Sequence, residues 1–217
     1  MFSLDVTQVT DFGLDLVCMN NKLTSLKVNK WIENLLCGNN QLKKLDLSGC
    51  EYLSLLDCSY NQIQSLDLSG SPELKGLGCV NNCLVSLDLE NNPKLEELYC
   101  YGQRCVSGPL TESDGKYTFD IHKLSVDPSR VFAEGTGVTY DAETGVFMFP
   151  KAVSEFEYAY DTGSIGNMEV TVCMPYTGKA TVKLNDNSIQ YKGSTPYVIY
   201  NGKAFRPAFK VYDEKVR

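Results

Sequence analysis

The residues best suited to chemistry in this 217-residue chain are its nine cysteines, because a thiol can act as a nucleophile, form a disulfide or bind zinc. Five of them recur at a nearly constant interval of 19, 21, 21 and 21 residues. They are Cys18, Cys37, Cys58, Cys79 and Cys100. A zinc site would need two cysteines separated by two residues, or several histidines, and the chain has one histidine. The spacing therefore predicts a column of inert buried thiols and no metal site.

The remaining four cysteines fall outside this column, and any of them could form a disulfide. They are Cys50, Cys83, Cys105 and Cys173. A disulfide requires a particular dihedral angle and β-carbon separation, which in-register positions on neighbouring parallel strands rarely offer. Because nine is an odd number, at least one thiol has no partner within the chain.

Two other groups of residues could carry chemistry, the single histidine and a column of aspartates. His122 falls on a predicted strand beside Asp120, but no G-x-S-x-G motif supplies a nucleophile, so we expect a surface histidine. Asp46, Asp67 and Asp88 could be bridged by calcium, yet no calcium-loop motif accompanies them. Phosphate-binding glycine motifs are absent as well. The sequence therefore predicts no enzyme, no metal and no cofactor.

Composition and charge narrow the class of protein further. The chain is 43% hydrophobic and 22% charged, close to the globular average, and no run of 18 apolar residues could span a membrane. Its net charge of −7 is distributed, with 8 basic and 13 acidic residues in 1–105 and 12 and 14 in 106–217. Without a basic half, we expect no nucleic-acid partner and no direct membrane insertion or binding.

The elements that position the cysteines belong to a repeat over residues 16–105. In each unit a leucine stands two residues before the cysteine and an amide three residues after it, as in Leu35, Cys37 and Asn40. The unit reads L-x-C-x-x-N-x-L-x-x-L-D-L-S. Because strand side chains alternate, leucine and cysteine face one side of a short strand, and stacked parallel strands bury them in one core. We expect the asparagine to adopt a turn conformation and bond the next coil, and the stack to end near Gln103 and Cys105.

This unit resembles the leucine-rich repeat, and its 21-residue period with cysteine in the second strand position resembles the cysteine-ladder internalins. The resemblance implies a bacterial protein, extracellular or anchored to the cell surface, that adheres to a host receptor. Its solenoid would have a parallel sheet of about five coils. Leu4-Asp5-Val6-Thr7 matches half a unit, so we expect a fragment of a longer or engineered protein, or a partner covering the first coil. Signal and anchor would then lie outside this chain.

The second half changes character, with short alternating runs between turns that predict a β-sandwich. The predicted inward-facing residues are Tyr117, Phe119 and Ile121 from one strand, Val146 and Met148 from another, and Phe156, Tyr158 and Tyr160 from a third. Asp141–Gly145 is predicted as a hairpin turn and Asn167–Met174 as a strand. Residues 106–175 resemble the immunoglobulin-like β-domains that follow leucine-rich repeats in bacterial surface proteins.

The predicted fold is mostly β, with a solenoid over 1–105, an immunoglobulin-like domain over 106–175 and additional strands over 176–217. The run TPYVIYNGKAFRPAFKVYD in the last segment resembles the opening strands of another such module. About 40 residues are too few to close a sandwich of about 100. We therefore expect extra strands on the preceding domain or a truncated module.

The predicted binding surface is the outer, concave face of the parallel sheet. Its candidate residues are Val17, Met19, Leu36, Leu55, Asp57, Glu97, Tyr99 and Tyr101. Exposed aliphatic and tyrosine side chains at this density are typical of interfaces, although single exposed apolar residues are common. We expect a protein or glycan partner on a host or neighbouring cell surface. The alternatives are a glycan-binding module in which Tyr99 and Tyr101 stack on sugars, a structural spacer, and, least favoured, a hydrolase using His122.

Overall fold

The computed structural model describes residues 2–135 and 137–174, together with the backbone of 189–192, 195–200 and 203–205. Residues 1–176 form one compact unit and residues 177–217 a second. Within the described residues, no helix is both long enough and apolar enough to cross a membrane.

The repeat region contains seven strands, of which five, one per coil, form a single parallel sheet. Its strands are β1 (Phe2–Asp5), β2 (Leu14–Val17), β3 (Leu23–Lys27), β4 (Ile32–Leu36), β5 (Leu55–Asp57), β6 (Gly76–Gly78) and β7 (Glu97–Tyr99). Strands β2, β4, β5, β6 and β7 form a parallel sheet in chain order, and β1 pairs separately with β3. The leucine two residues before each cysteine is in register across the sheet. The predicted solenoid of about five coils with 21-residue spacing is confirmed.

The cysteine column lies inside the coils. Cys37, Cys58 and Cys79 are fully buried, and all nine cysteines are free thiols. Loss of hydration raises the pKa of Cys37 to about 12 and that of Cys100 to about 11. These thiols are therefore protonated at neutral pH, as expected of small apolar side chains in a core.

The amide column forms a ladder, consisting of Asn40, Asn61, Asn82 and Gln103, that satisfies buried backbone groups. Asn61 Oδ1 accepts a hydrogen bond from Leu42 N at 2.9 Å. Its Nδ2 donates to Cys37 O at 3.1 Å and to Cys58 O at 3.0 Å. Each rung thus joins its own coil to the preceding one. The prediction of bonds to the next coil was wrong in direction.

The left-handed turn residue is also displaced by one position from the prediction. Positive φ falls immediately before the ladder, at Asn39 (54°), Tyr60 (56°) and Asn81 (52°). At the end of the repeat, Gln103 Nε2 donates to Cys79 O at 2.8 Å and to Cys100 O at 3.0 Å. The longer side chain of Gln103 therefore forms the last rung of the ladder. The parallel sheet ends at β7, so the regular stack ends near Gln103 and Cys105 as predicted.

The aspartate column caps turns. Asp46 Oδ1 accepts from Ser48 N, and Asp67 Oδ1 accepts from Ser69 N, each at 3.0 Å. These hydrogen bonds lower the pKa of both carboxyl groups because they stabilise the charged form. Across the part of the chain that the structure describes, no group of three or more His, Cys, Asp or Glu side chains could hold a metal ion.

Two four-stranded sheets follow the repeat. Their strands are β8 (Gln103–Val106), β9 (Thr111–Ser113), β10 (Lys116–Asp120), β11 (Val131–Ala133), β12 (Thr139–Asp141), β13 (Val146–Phe149), β14 (Glu155–Asp161) and β15 (Asn167–Cys173). The sheet orders are β12-β13-β10-β9 and β11-β14-β15-β8. Strand β8 runs parallel to β15 and crosses the predicted boundary at 105/106. The hairpin turn between β12 and β13 and the strand β15 lie where the sequence placed them.

An aromatic cluster joins the two sheets. The ring of Phe156 in β14 lies 4.8 Å from that of Phe147 and 5.2 Å from that of Phe119, between centroids. The predicted inward positions of β13 were wrong, since Phe147 and Phe149 are buried while Met148 is 44% exposed. Both alternating sets in this strand are apolar, and the larger rings fill the core. The arrangement resembles a sandwich; its immunoglobulin-like classification stays a prediction.

Hydrogen bonds tie these sheets to the last coils. Tyr158 Oη donates to Val85 O, and Leu89 N donates to Thr162 O at 2.9 Å.

His122 belongs to a 3₁₀ helix over Ile121–Leu124, so its predicted place on a strand was wrong.

The second unit contains an antiparallel meander. Its described strands are β16 (Ile189–Lys192), β17 (Thr195–Tyr200) and β18 (Lys203–Phe205), in the order β16-β17-β18. The predicted run begins with β17, and its part beyond residue 205 lies outside the described residues. The prediction of extra strands on the preceding domain or a truncated module stays a prediction.

Candidate functional site

The outer face of the parallel sheet carries a hollow of about 660 Å³. Seven of the eight predicted binding residues line it. They are Met19, Leu36, Leu55, Asp57, Glu97, Tyr99 and Tyr101. The eighth, Val17, is 64% exposed and is not among the residues lining the hollow. The structure thus brings most of the predicted set together, while their role in binding stays a prediction.

Two glycines in strand β6 create the hollow. The register places Gly76 between Leu55 and Glu97, and Gly78 between Asp57 and Tyr99. Neither glycine has positive φ, so the backbone conformation does not require glycine at either position. The effect of Gly-Leu-Gly is instead to remove two side chains from the middle of the sheet. These two glycines, the glycine floor, were not among the predicted site residues.

Side chains on the neighbouring coils stand around the glycine floor. A β-carbon added to Gly76 would lie 2.8 Å from Leu55 Cδ1, and one added to Gly78 would lie 3.1 Å from Asp57 Oδ1. Leu55 and Asp57 therefore lean over the space that the glycines leave open. On the other side of β6, Tyr99 is 54% exposed and Tyr101 is 56% exposed. The hollow consequently has an apolar and acidic wall facing a tyrosine wall.

Tyr60 is a third exposed tyrosine in the hollow, and it was not among the predicted site residues. It has φ 56° in the turn column where neighbouring coils carry Asn39 and Asn81. A bulky residue in the left-handed region is uncommon and costs backbone strain, which points to a functional reason for its presence. The departure from asparagine in this column was the available signal.

Asp57 is a half-buried carboxylate that lies between Leu36 and Gly78 in the sheet register. Its Oδ1 accepts a hydrogen bond from Ser59 N at 3.0 Å. Its carboxylate oxygens would lie 3.5 Å from a β-carbon at Gly38 and as near as 3.1 Å to one at Gly78. Among the described residues that line the hollow, none is Lys, Arg or His. The site therefore offers hydrogen-bond acceptors, tyrosine rings and apolar contacts.

The histidine of the hydrolase alternative lies outside this surface. His122 does not line the hollow, and its Nδ1 lies 2.7 Å from Asp120 Oδ1 on an exposed surface.

An aromatic cluster lies four residues before the strand leucine in consecutive coils. Phe12, Trp31 and Tyr52 form an aromatic stack with centroid separations of 5.7 Å, 4.8 Å and 5.8 Å. Lys30 Nζ lies 4.4 Å from the centroid of the Trp31 ring. Because the rings face one another and the lysine, they fit packing between coils better than ligand binding. These residues were not among the predicted site residues, although the period of their column is that of the cysteines.

No family model and no curated protein matches the chain. Among solved structures, the functional domain of InlJ from Listeria monocytogenes, which includes a cysteine ladder, is similar at 20% identity and a TM-score of 0.32. That match covers 79% of this chain and 64% of the InlJ chain. A Clostridium perfringens ZmpB structure, of CBM51-2 in complex with GlcNAc and INT domains, gives 23% identity, a TM-score of 0.30 and coverages of 52% and 28%. This chain thus spans less than two thirds of either.

Proposed function

We propose that this chain is a non-catalytic surface or secreted protein of the internalin-like leucine-rich repeat type, which binds a protein partner through the hollow. The observation that carries the proposal is the group of three exposed tyrosines around a glycine floor. Exposed apolar patches mark interaction sites, and tyrosine is enriched where a few residues dominate binding energy. Adhesion to a host or neighbouring cell follows as the biological role.

The hollow is the centre of a larger contact. A stable protein interface buries about 800 Å² on each partner, with an anchor cluster surrounded by a rim. Tyr99 and Tyr101 would serve as anchors, with Leu36 and Val17 extending the contact toward the first coils. Solenoids commonly present extended surfaces of this kind.

A glycan is the second candidate, because the hollow combines tyrosine rings with carboxylates that have no counter-ion. Tyr99 and Tyr101 would stack on sugar rings, while Asp57 and Glu97 would accept hydrogen bonds from hydroxyl groups. Such a ligand would remain bound to cells stripped of surface protein by protease.

The test is adhesion of the purified chain to host and bacterial cells, comparing wild type with Tyr99→Ala/Tyr101→Ala. Loss of two anchors worth about 2 kcal/mol each should weaken binding by about 1000-fold if their effects add. Tyr52→Ala is the matched control, an exposed tyrosine outside the hollow. Circular dichroism verifies folding of each variant. Adhesion of the double variant at the wild-type level would reject this face.

Protease or glycosidase treatment of the cells then separates the two ligand classes. Loss of adhesion after protease treatment supports a protein partner. Loss only after glycosidase treatment supports the glycan candidate.

A further inference from the structure

We propose that the hollow receives a basic side chain, lysine or arginine, presented by the protein partner. This inference rests on the proposed function and names the chemistry that the same site recognises. The basic group would meet Asp57 and Glu97, while its aliphatic stem would lie along the glycine floor between Leu55 and Tyr99.

The charge of the parallel sheet favours a cationic ligand. The outward positions of the parallel sheet include the carboxylates Asp15, Asp57 and Glu97 and no lysine or arginine. All eight basic residues of 1–105 lie elsewhere in the repeat. This face is therefore negatively charged, which attracts a cationic group and repels an anionic one.

Asp57 and Glu97 have no counter-ion within the repeat. Some carboxylates of the repeat do have one, since Glu73 pairs with Lys94 and Asp5 pairs with Lys27. None of the ion pairs between described residues includes Asp57 or Glu97. Because Asp57 is half-buried, water and salt screen its attraction for an entering cation less than they would at a fully exposed carboxylate.

The shape of the hollow beside Asp57 also favours a basic side chain. Gly78 leaves Asp57 without a side chain beside it on the following coil, while Leu36 is its register partner on the preceding coil. A β-carbon at Gly38 would lie 3.5 Å from the carboxylate oxygens, so its absence leaves that edge open to a ligand. Lysine and arginine bury their methylene stems on apolar surface while the charged head meets polar groups. The exposed ring of Tyr99 beside the glycine floor adds a cation–π surface. An acidic or phosphorylated group would find no cation in this lining.

The experiment is an NMR titration of the ¹⁵N-labelled full chain with the pentapeptides acetyl-Gly-Gly-Arg-Gly-Gly-amide, its lysine analogue and its glutamine analogue. We expect the arginine and lysine peptides to shift the amide signals of Gly76 and Gly78. The glutamine peptide should bind at least 10-fold more weakly, and raising NaCl to 0.5 M should weaken the basic peptides.

Three variants sharpen the result. Asp57→Asn preserves an acceptor for Ser59 N but removes the charge, and should weaken the arginine peptide at least 10-fold. Asp15→Asn removes one charge from the same sheet outside the hollow, and should change binding less than 2-fold. Gly78→Ala should abolish peptide shifts while the unfolding midpoint stays unchanged or rises, because a β-carbon there meets Asp57 Oδ1 at 3.1 Å and φ is not positive.

Equal binding of the arginine and glutamine peptides would overturn the inference, as would equal effects of Asp57→Asn and Asp15→Asn. Preferential binding of tetra-N-acetylchitotetraose at Gly76 and Gly78, unaffected by Asp57→Asn, would overturn it in favour of a glycan. If peptides fail while Tyr99→Ala/Tyr101→Ala loses adhesion, only this inference falls. If that double variant adheres normally, the proposed function falls with it.

Discussion

In the repeat region the amide ladder makes the same contacts in successive coils, whereas the two sheets that follow share one aromatic cluster. Asn61 joins two coils through the same three hydrogen bonds that Asn82 makes one coil later. Phe147 instead contacts rings from two different strands, Tyr140 in β12 and Phe156 in β14. Stability is therefore distributed along the solenoid and concentrated in the sheets.

This difference decides where function can be placed. Because a solenoid coil is held by its inward column and amide ladder, its outward positions can change without affecting the core. Gly76 and Gly78 replace side chains in the middle of the sheet while Leu77 stays buried between them. Residues of strand β13 can be substituted less freely, because Phe147 and Phe149 both fill the shared aromatic cluster. The candidate site accordingly lies on the repeat.

The largest effect should come from Phe147→Ala. Phe147 is fully buried between two sheets, so the cavity should lower the free energy of unfolding by about 3–5 kcal/mol. Urea unfolding followed by circular dichroism measures this loss, and Met148→Ala, at the exposed neighbouring position, should change it by about 0.5 kcal/mol at most.

Trp31 fluorescence tests how far the comparison holds, because this single tryptophan lies in the solenoid. Residues 1–176 form one compact unit, so we expect the fluorescence midpoint to shift together with the dichroism in Phe147→Ala. An unshifted Trp31 transition would show that the repeat unfolds independently.

Asn61→Ala should produce the next largest effect. It leaves Leu42 N–H and Cys37 C=O without their partner inside the core, which should cost about 2–4 kcal/mol of unfolding free energy. Asn21→Ala is the matched control in the first coil, where the amide is exposed and bonds only to Cys18 O and Met19 O. Equal losses in the two variants, measured by urea unfolding, would contradict the distributed-ladder account.

The same comparison explains how much of the fold the sequence predicted. A repeated position supplies several copies of one environment, so the inward Leu-x-Cys strand and the amide ladder were identified from spacing alone. The ladder's direction was not, because spacing does not distinguish the preceding coil from the next. In β13 a single copy, Val146–Phe149, is apolar at every position, and only packing of the larger rings sets its register.

In the candidate site, too, repeated positions were predictable from the sequence and departures from the repeat were not. Outward columns were predictable from alternation, and seven predicted residues line the hollow. The residues that were missed are departures from the column, namely the absent side chains of Gly76 and Gly78 and the strained turn at Tyr60. Their effect depends on neighbouring coils, because only the register shows which side chains flank the gap.

A smaller, pH-dependent effect should distinguish the buried thiols of the repeat. Burial raises the pKa of Cys37 to about 12, from about 9 in the unfolded chain. Above pH 9 the unfolded state loses this proton while the folded state keeps it, so stability is present below pH 9 and is lost as the pH rises toward 12. One such thiol contributes a slope of about −1.4 kcal/mol per pH unit in that window.

Cys37→Ala should therefore show a shallower loss of stability than wild type between pH 9 and pH 11, in urea unfolding at each pH. Cys83→Ala is the control, since Cys83 is only half-buried and its pKa is raised less. Parallel pH profiles for Cys37→Ala and wild type would show that this thiol ionises with the same pKa in both states.

The smallest effect should come from a substitution in a column whose residue types change from aromatic to charged along the solenoid. Four residues before the strand leucine, the first three coils carry the aromatic stack and the last two carry Glu73 and Lys94, whose Nζ and Oε2 atoms are 2.5 Å apart. Both side chains of this pair are about half exposed, so water and salt screen the attraction.

Lys94→Ala should therefore lower the unfolding free energy by about 0.5 kcal/mol or less, and 1 M NaCl should remove the difference. Tyr52→Ala in the same column should cost about 1 kcal/mol and keep its effect in salt, because ring contacts are not screened. A salt-insensitive loss in Lys94→Ala would mean that its methylene stem packs between coils, and the two halves of the column would then act alike.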